Sequence, residues 1–412
     1  MSKLATAEIF AARRPAYPGT ERYAYLDVAA RGLISVGVRG AIDAYLDHRM
    51  SEGGDKAWMF SLAEDSRLRF AELIGASVDE ISLTKNISEG INAFGTALPW
   101  QAGENVVVCQ ALEHPANIFP WQNLALQRGV EVKVVRPVGG RVPLDQVIDA
   151  IDARTRLVTV STVSFAPGFR FPVSELSRHC RPLGVRVLVD AAQSAGILHT
   201  DVEALGVDGF AASTQKGLLG LYGSGFLYVR RALADTLAPV YLSRAGVHIA
   251  AEHEAASGDP DAFGYALGAR RFDVGNFNFV GAVAVRQSLE EIAALGTRAI
   301  EARVCSLAQR LAEGLCAVGV PVFGGPSCAD RAHIVAIGES LSEEHDSVGD
   351  EMLLALNARL NAAHVRHTIR RGMLRLSLHL YNNEDDVDRV VEVARDFMAS
   401  KSRRPANVGA GT

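Results

Sequence analysis

The feature that most constrains the fold is a pair of apolar segments that each lead to a polar functional group. In Val185–Gly196, a run of β-branched residues ends at Asp190. In Gly209–Gly217, a second apolar run ends just before Lys216. Such runs are typical of strands buried in a parallel sheet, which needs helices on both of its faces. The chain is therefore expected to form an α/β fold in which an acid and a lysine follow neighbouring strands.

These two residues also predict a cofactor. The carboxyl ends of parallel strands form the edge where α/β sheets bind ligands, so Asp190 and Lys216 are expected to face one crevice. A loop lysine is normally solvated, but a lysine among apolar groups loses its proton more easily and can act as a nucleophile. Pyridoxal phosphate (PLP) chemistry uses both groups, because the lysine binds the cofactor aldehyde and the carboxylate keeps the pyridine nitrogen protonated.

From Tyr25-Leu26-Asp27 to Tyr381-Asn382, with these two segments between, the sequence resembles the class V aminotransferase family of fold-type I PLP enzymes. This branch holds cysteine desulfurases, carbon–sulfur lyases and isopenicillin N epimerase-like proteins. The resemblance implies the PLP-dependent transferase fold type I, with a mostly parallel central sheet in a large domain and a smaller α+β carboxyl-terminal domain.

The expected domain organisation follows the same resemblance. Residues 1–20 are expected to form an amino-terminal arm, in which two prolines favour extended or turn geometry over helix. The large PLP-binding domain is expected over 21–278. A small domain with a linking helix is expected over 279–400, and a disordered tail over 401–412.

The resemblance assigns the cofactor contacts residue by residue. His114, in the segment Glu113–Trp121, would stack on the cofactor ring and shuttle protons. Gln193 would bind the phenolic oxygen. Asn276 would reach the phosphate of a partner's cofactor, which implies a homodimer with shared active sites. The phosphate ligands would be Ser88 at a helix start, Ser213, and Gln215 in place of a histidine common in desulfurases.

Two arginines are candidates for substrate binding. Arg375, in a segment that resembles the family's arginine strand, would fork onto the α-carboxylate of an amino acid. Arg31 follows the family's opening segment directly and is a second candidate for a substrate anion. A surface arginine is the alternative in both cases.

The resemblance predicts an enzyme that acts on a small α-amino acid, with Lys216, His114 and Asp190 as catalytic residues. It does not choose between transamination, elimination and racemisation. Phe165 stands where desulfurases usually carry an asparagine, and no cysteine lies between Val365 and Arg375 to accept sulfur. We therefore expect an aminotransferase-type or carbon–sulfur β-lyase reaction and not a cysteine desulfurase. An epimerase or racemase and a non-catalytic PLP-binding protein are the alternatives.

The composition limits the classes of binding partner that the chain is expected to have. With 48% hydrophobic and 22% charged residues and a formal charge of −5, the chain reads as a globular protein without a basic field for nucleic acid or anionic lipid. No window offers about twenty uninterrupted apolar residues, and the amino terminus lacks a long apolar run, so a cytoplasmic protein is expected. The five scattered cysteines form no C-x-x-C pair, so we expect free thiols and no metal site.

Overall fold

The computed structural model describes residues 3–249, 263–342 and 346–402. The helices are α1 Lys3–Arg13, α2 Gly19–Arg22, α3 Val36–Ser51, α4 Lys56–Ile74, α5 Ile87–Ala97, α6 Phe119–Arg128, α7 Leu144–Asp149, α8 Val173–Cys180, α9 Val202–Leu205, α10 Arg231–Ala234, α11 Phe279–Leu295, α12 Thr297–Ala317, α13 Glu351–Ala362 and α14 Glu384–Ser402. The strands are β1 Ala24–Tyr25, β2 Ile81–Thr84, β3 Asn105–Val108, β4 Glu131–Val134, β5 Thr155–Ser161, β6 Arg186–Asp190, β7 Gly209–Ser213, β8 Gly225–Val229, β9 Val247–Ile249, β10 Phe263–Tyr265, β11 Ile334–Ile337, β12 Val365–Arg366, β13 Thr368–Arg370 and β14 Met373–Ser377.

A seven-stranded sheet in the order β2-β8-β7-β6-β5-β3-β4 forms the centre of the larger of two compact units. Five strands, from β7 to β4, pair in parallel, and β8 is antiparallel to both of its neighbours. One face is covered by α5 and α6, whose Phe94 and Trp121 are buried in a cluster with Leu188 and Leu227 of the sheet. Burial on both faces explains the continuous apolar runs of β6 to β8. The predicted fold class is confirmed.

The register of this sheet places its functional residues along one edge. Because β2 and β7 are both antiparallel to β8, they run in the same direction and end at the same edge. Thr84, Gly225 and Ser213 are register partners in one row across these three strands. On the other side of β7, Ser161 of β5 lies beside Asp190 of β6.

The smaller unit comprises residues 3–30, 166–169 and, with its gap, 302–402. It contains the three-stranded antiparallel sheet β11-β14-β13 and the short parallel pair of β1 and β12. The side chain of Arg14 binds both carboxylate oxygens of Asp386 in α14, at 2.8 and 2.9 Å. This ion pair holds the amino-terminal segment within the unit.

The segment expected to be an extended arm contains a helix, α1, because its two prolines come after the helix has ended. Pro15 lies in a 3₁₀ turn and Pro18 precedes the first residue of α2, positions that proline tolerates. The larger unit extends to Glu301, so α11 belongs to it, whereas the small domain was expected to start at residue 279. The reason is that α11 packs on α3 and α4 of the same unit. Of the predicted tail, residues 403–412 lie outside the described residues.

No helix within the described part of the chain combines the length and apolarity that a bilayer span requires.

Candidate active site

Asp190 is a buried acid at the end of β6. Its carboxylate accepts a hydrogen bond from the Ala192 N–H at 2.9 Å. Burial raises the pKa of Asp190, and this bond and the positive charge of Lys216 act in the opposite direction. A cation placed against this carboxylate would offset the cost of its desolvation.

Lys216 lies in a turn that begins directly after β7 and packs closely on the turn after β6. A Cβ atom on Gly196 would lie 2.4 Å from the Gly217 carbonyl oxygen, and one on Gly217 would lie 2.3 Å from the Ala195 carbonyl oxygen. These backbone contacts require glycine. They bring the turn that carries Gln193 against the turn that carries Lys216.

The segment after Arg31 packs against the lysine turn as well. The Gly32 N–H donates to the Gln215 carbonyl oxygen at 2.8 Å, and a Cβ atom on Gly32 would lie 2.5 Å from the Lys216 carbonyl oxygen. Arg31 directly precedes Gly32 and is exposed, so its side chain starts next to the lysine turn.

A polar cradle lies where β2 and β7 end and β8 begins. Among the described residues, the Ser213 and Thr84 hydroxyl oxygens are buried without a hydrogen-bond partner. A Cβ atom on Gly225 between them would lie 2.8 Å from the Thr84 hydroxyl. Helix α5 starts nearby, capped by Asn86, and its first-turn amides, including that of Ser88, have no intrahelical acceptor. Unsatisfied hydroxyls beside a helix amino terminus suit a phosphate group.

Sequence reasoning missed Thr84. Its position at the strand end was visible, but only the register with Gly225 and Ser213 shows that it faces the same cradle.

His114 lies in the loop between β3 and α6. Its Nδ1 accepts a hydrogen bond from the Ala116 N–H at 3.2 Å, so the neutral ring carries its proton on Nε2. The imidazole is exposed, and its centroid is 5.9 Å from the Phe165 ring at an interplanar angle of 85°. This edge contact leaves an imidazole face for a ligand.

Glu113 is a second acid that sequence reasoning missed. Its carboxylate accepts hydrogen bonds from the backbone N–H and hydroxyl of Ser161 at 2.7 and 2.6 Å and from the Asn117 amide at 2.9 Å. Burial and the negative charge of Asp190 raise the pKa of Glu113 to about 7. Its place next to His114 was a signal, but nothing in the local pattern indicates that it is buried beside Asp190.

Asn276 is exposed in the larger unit, between two anchored residues. Asp273 is buried and accepts hydrogen bonds from Arg67 at 2.7 Å and from Ser82 at 2.9 Å. Asn278 caps α11 and donates to the Gly223 carbonyl oxygen at 3.1 Å. The two anchors fix the segment and leave the Asn276 side chain accessible.

Arg375 is buried in the middle strand of the smaller unit's sheet. Its Nε and Nη2 atoms bind the Thr368 hydroxyl at 3.3 and 3.1 Å, and this hydroxyl in turn donates to Asp27 at 3.0 Å. Burial lowers the pKa of Arg375 to about 10, while the charge of Asp27 raises it. The guanidinium therefore keeps its charge at neutral pH.

The larger unit thus brings most of the predicted site residues to one sheet edge, and Arg375 belongs to the smaller unit. The residues at this edge fit PLP. Asp190 would pair with the ring nitrogen, Lys216 would bind the aldehyde, and the cradle around Ser213 would take the phosphate. The predicted residues placed on the elements of this edge are Arg31, Ser88, His114, Asp190, Gln193, Ser213, Gln215 and Lys216.

Comparison with known proteins identifies the family. The sequence model of the family described as "Aminotransferase class-V" matches residues 24–390. A probable cysteine desulfurase of Methanothermobacter thermautotrophicus is 30% identical over 392 residues, which cover 91% of this chain and 94% of the relative. The apo structure of a cysteine desulfurase from Thermococcus onnurineus matches with a TM-score of 0.81 and 26% identity, covering 94% of this chain and 97% of the other. The fold is also shared with a C-DES variant that has glycine covalently linked to its PLP cofactor, with a TM-score of 0.82, 23% identity and coverage of 93% and 99%.

These comparisons correct the functional prediction. The prediction of an aminotransferase-type or carbon–sulfur β-lyase reaction, and not of a cysteine desulfurase, is wrong. Relatives matched over about nine-tenths of the chain are named cysteine desulfurases. The exclusion depended on Phe165 and on the missing cysteine between Val365 and Arg375. In the structure this interval forms β12, β13 and the start of β14, and two local departures do not outweigh similarity over about nine-tenths of the chain.

The matched region spans the sheet edge, the lysine turn and the arginine strand, and the chain therefore belongs to the class V aminotransferase family of enzymes, with pyridoxal 5'-phosphate as its cofactor.

Proposed function

We propose that the protein is a cysteine desulfurase, which transfers the sulfur of free cysteine to a thiol and leaves alanine. The observation that carries this proposal is the similarity to cysteine desulfurases over 91% of the chain. The buried Asp190, the lysine turn and the buried Arg375 supply the groups that an amino acid substrate and PLP require.

When bound, PLP supplies an electron sink that stabilises negative charge on the substrate. In the proposed mechanism, Asp190 holds the proton of the ring nitrogen through its buried negative charge. Lys216 Nζ removes the α-proton of the amino acid. Arg375 binds the α-carboxylate through two parallel N–H donors, which orients the Cα–H bond. His114 Nε2, which carries the ring proton, is the hydrogen-bond donor on the exposed side of the imidazole.

The sulfur step needs a thiolate that attacks the substrate Sγ. The new S–S bond forms, the Cβ–Sγ bond breaks, and its electron pair remains on Cβ, which takes a proton. The sum is cysteine plus thiol giving alanine plus persulfide, with no external oxidant.

We propose that the acceptor is a low-molecular-weight thiol from solution. Cys109 and Cys180 are buried, and burial raises the pKa of Cys180 to about 12, which disfavours its thiolate. The Cys328 thiol donates to the Asp330 carboxylate at 2.9 Å, an arrangement that favours the protonated thiol. Cys305 and Cys316 lie in helix α12, which is distant in sequence from the segments that form the sheet edge.

We also propose a cytoplasmic homodimer. The accessible Asn276 between two anchored neighbours supports a contact with a partner's cofactor phosphate, and a reducing compartment suits five free thiols.

The test is to incubate the PLP-loaded enzyme with L-cysteine and dithiothreitol and to quantify products by mass spectrometry and sulfide assay. We expect alanine and sulfide in equal amounts. Pyruvate and ammonia in place of alanine would overturn the desulfurase proposal. A variant with the three partly accessible cysteines, Cys305, Cys316 and Cys328, replaced by serine should keep its turnover with dithiothreitol, and loss of that turnover would place the acceptor within the chain.

A further inference from the structure

Glu113 is a buried acid to which the proposed chemistry gives no role. It comes directly before His114 and is only 3% exposed. Its two carboxylate oxygens take three hydrogen bonds, two from Ser161 at the end of β5 and one from Asn117. These bonds fasten the His114 loop to the edge of the sheet.

The same bonds bring Glu113 close to Asp190. Ser161 and Asp190 are register partners on adjacent parallel strands, which lie about 4.8 Å apart. The negative charge of Asp190 acts on the Glu113 carboxyl, and two interacting carboxylates that are both removed from water repel each other strongly when both are ionised. Asp190 has the positive charge of Lys216 to stabilise its anion, whereas Glu113 has only neutral donors.

We propose that Glu113 is a positioning residue that takes up a proton as the pH falls through neutrality, so that the pair of acids then carries one negative charge and Asp190 holds it. This inference rests on the PLP cofactor and does not depend on which thiol or amino acid reacts. The elevated pKa of Glu113, about 7, agrees with it.

The protonated acid can keep every contact of the loop. An O–H on Oε2 would donate to the Ser161 hydroxyl, while Oε1 still accepts from the Ser161 N–H and Oε2 still accepts from the Asn117 amide. Asp190 on β6 is the ionisable group that acts on Glu113, and Lys216 after β7 is the one that acts on Asp190. The hydrogen-bond donors Ser161 and Asn117 do not titrate. His114 turns its Nδ1 to the Ala116 N–H.

The experiment is a pH titration of the PLP-loaded enzyme by difference infrared spectroscopy, between about pH 5.5 and about pH 8.5. A protonated buried carboxyl has a C=O stretch separate from the amide and carboxylate bands. We expect such a band in the wild type, lost with a midpoint near neutral pH, and its absence in Glu113→Gln. Ser161→Ala should move the midpoint upward, because it removes a donor that stabilises the ionised form. Glu313→Gln, on the exposed face of α12, should leave the band unchanged.

Two results would overturn the proposal. A band that persists in Glu113→Gln belongs to another acid, and a wild type without a band at the acid end of the range has Glu113 ionised throughout.

The positioning role has its own readout, the dissociation constant of PLP measured by absorption. Glu113→Ala leaves the Ser161 and Asn117 donors without an acceptor and should weaken PLP binding about tenfold. Glu113→Gln keeps an acceptor oxygen and should stay within about threefold of the wild type. Equal affinities in the two variants would contradict positioning, and if Glu113→Ala does not fold, the infrared titration alone decides.

Discussion

At the scale of single residues, the site contains two kinds of group. The chemistry of the first kind follows from the side-chain type alone, and the chemistry of the second kind depends on the surroundings of the side chain. Lys216 and Arg375 belong to the first kind, because an amine and a planar guanidinium do their work wherever the cofactor and a carboxylate are placed. Asp190 and Glu113 belong to the second, because burial and mutual repulsion decide which of them is charged.

Replacing Lys216 tests the first kind. Lys216→Ala should abolish the absorption band of lysine-bound PLP and lower turnover by about a thousandfold or more, because it removes both the covalent attachment and the base. Borohydride reduction followed by mass spectrometry measures the attachment. Lys133→Ala is the control, since Lys133 pairs with Asp152 at 2.7 Å on the edge strand β4. Cofactor retained covalently by Lys216→Ala would show that another lysine holds it.

Arg375→Lys should raise the KM for cysteine about tenfold or more with a smaller change in kcat, because lysine cannot form the two-pronged contact with the carboxylate. Steady-state kinetics measure the effect. Arg370→Lys serves as the comparison, since Arg370 pairs with the exposed Asp346 at 2.6 Å. Similar KM changes in the two variants would argue against Arg375 as the carboxylate ligand.

Glu113 should also make the stability of the folded protein depend on pH. Its pKa is raised from 4.5 to about 7 in the folded protein, so the stability tied to its proton is complete below pH 4.5 and is lost as the pH rises through about 7. The loss amounts to about 3 kcal/mol. Urea unfolding of the cofactor-free protein should show that the free energy of unfolding of the wild type falls relative to that of Glu113→Gln as the pH rises over this interval. A difference that stays constant with pH would mean that Glu113 is ionised at all of these pH values.

At the scale of elements, local sequence patterns predicted whether a segment is a helix or a strand better than they predicted where it begins and ends. The apolar runs of β6 and β7 predicted buried parallel strands, and the family resemblance predicted a linking helix within 279–400. The structure has two successive helices at the start of that segment, because Gly296, with a φ of 82°, ends α11 before α12 begins. The amino-terminal helix α1 was missed because its prolines follow it.

The close contact between the turns after β6 and β7 makes a prediction at this scale. Gly196→Ala should destabilise the protein by about 1–3 kcal/mol more than Gly184→Ala, because both glycines have positive φ but only the first would clash with backbone. It should also weaken PLP binding, since the clash displaces the lysine turn. Thermal unfolding and PLP titration measure both effects. Matching results for the two variants would show that backbone strain alone matters.

At the scale of the whole molecule, the proposed dimer is the feature that one chain cannot display. If Asn276 contacts the partner's cofactor phosphate, Lys216→Ala and Asn276→Asp damage different halves of each shared site. A mixture of the two inactive variants, dissociated and reassociated, should then regain activity, because one site of each hybrid is intact. Turnover of the mixture against each variant alone is the measurement. A mixture no more active than its components would argue against shared sites.

The sequence by itself determined the chemistry available to this protein: the acid and the lysine at strand ends, the helix start at Ser88, the histidine motif and the arginine strand. These are local patterns, and side-chain type and strand or helix period suffice to read them. The tertiary structure decided which groups meet. The pairing of Thr84 with Ser213 across β8, and of Glu113 with Asp190 across β5 and β6, depends on strand register between segments far apart in the chain. The charge of each acid follows from that arrangement, because register determines which groups lose contact with water and which charges they then face.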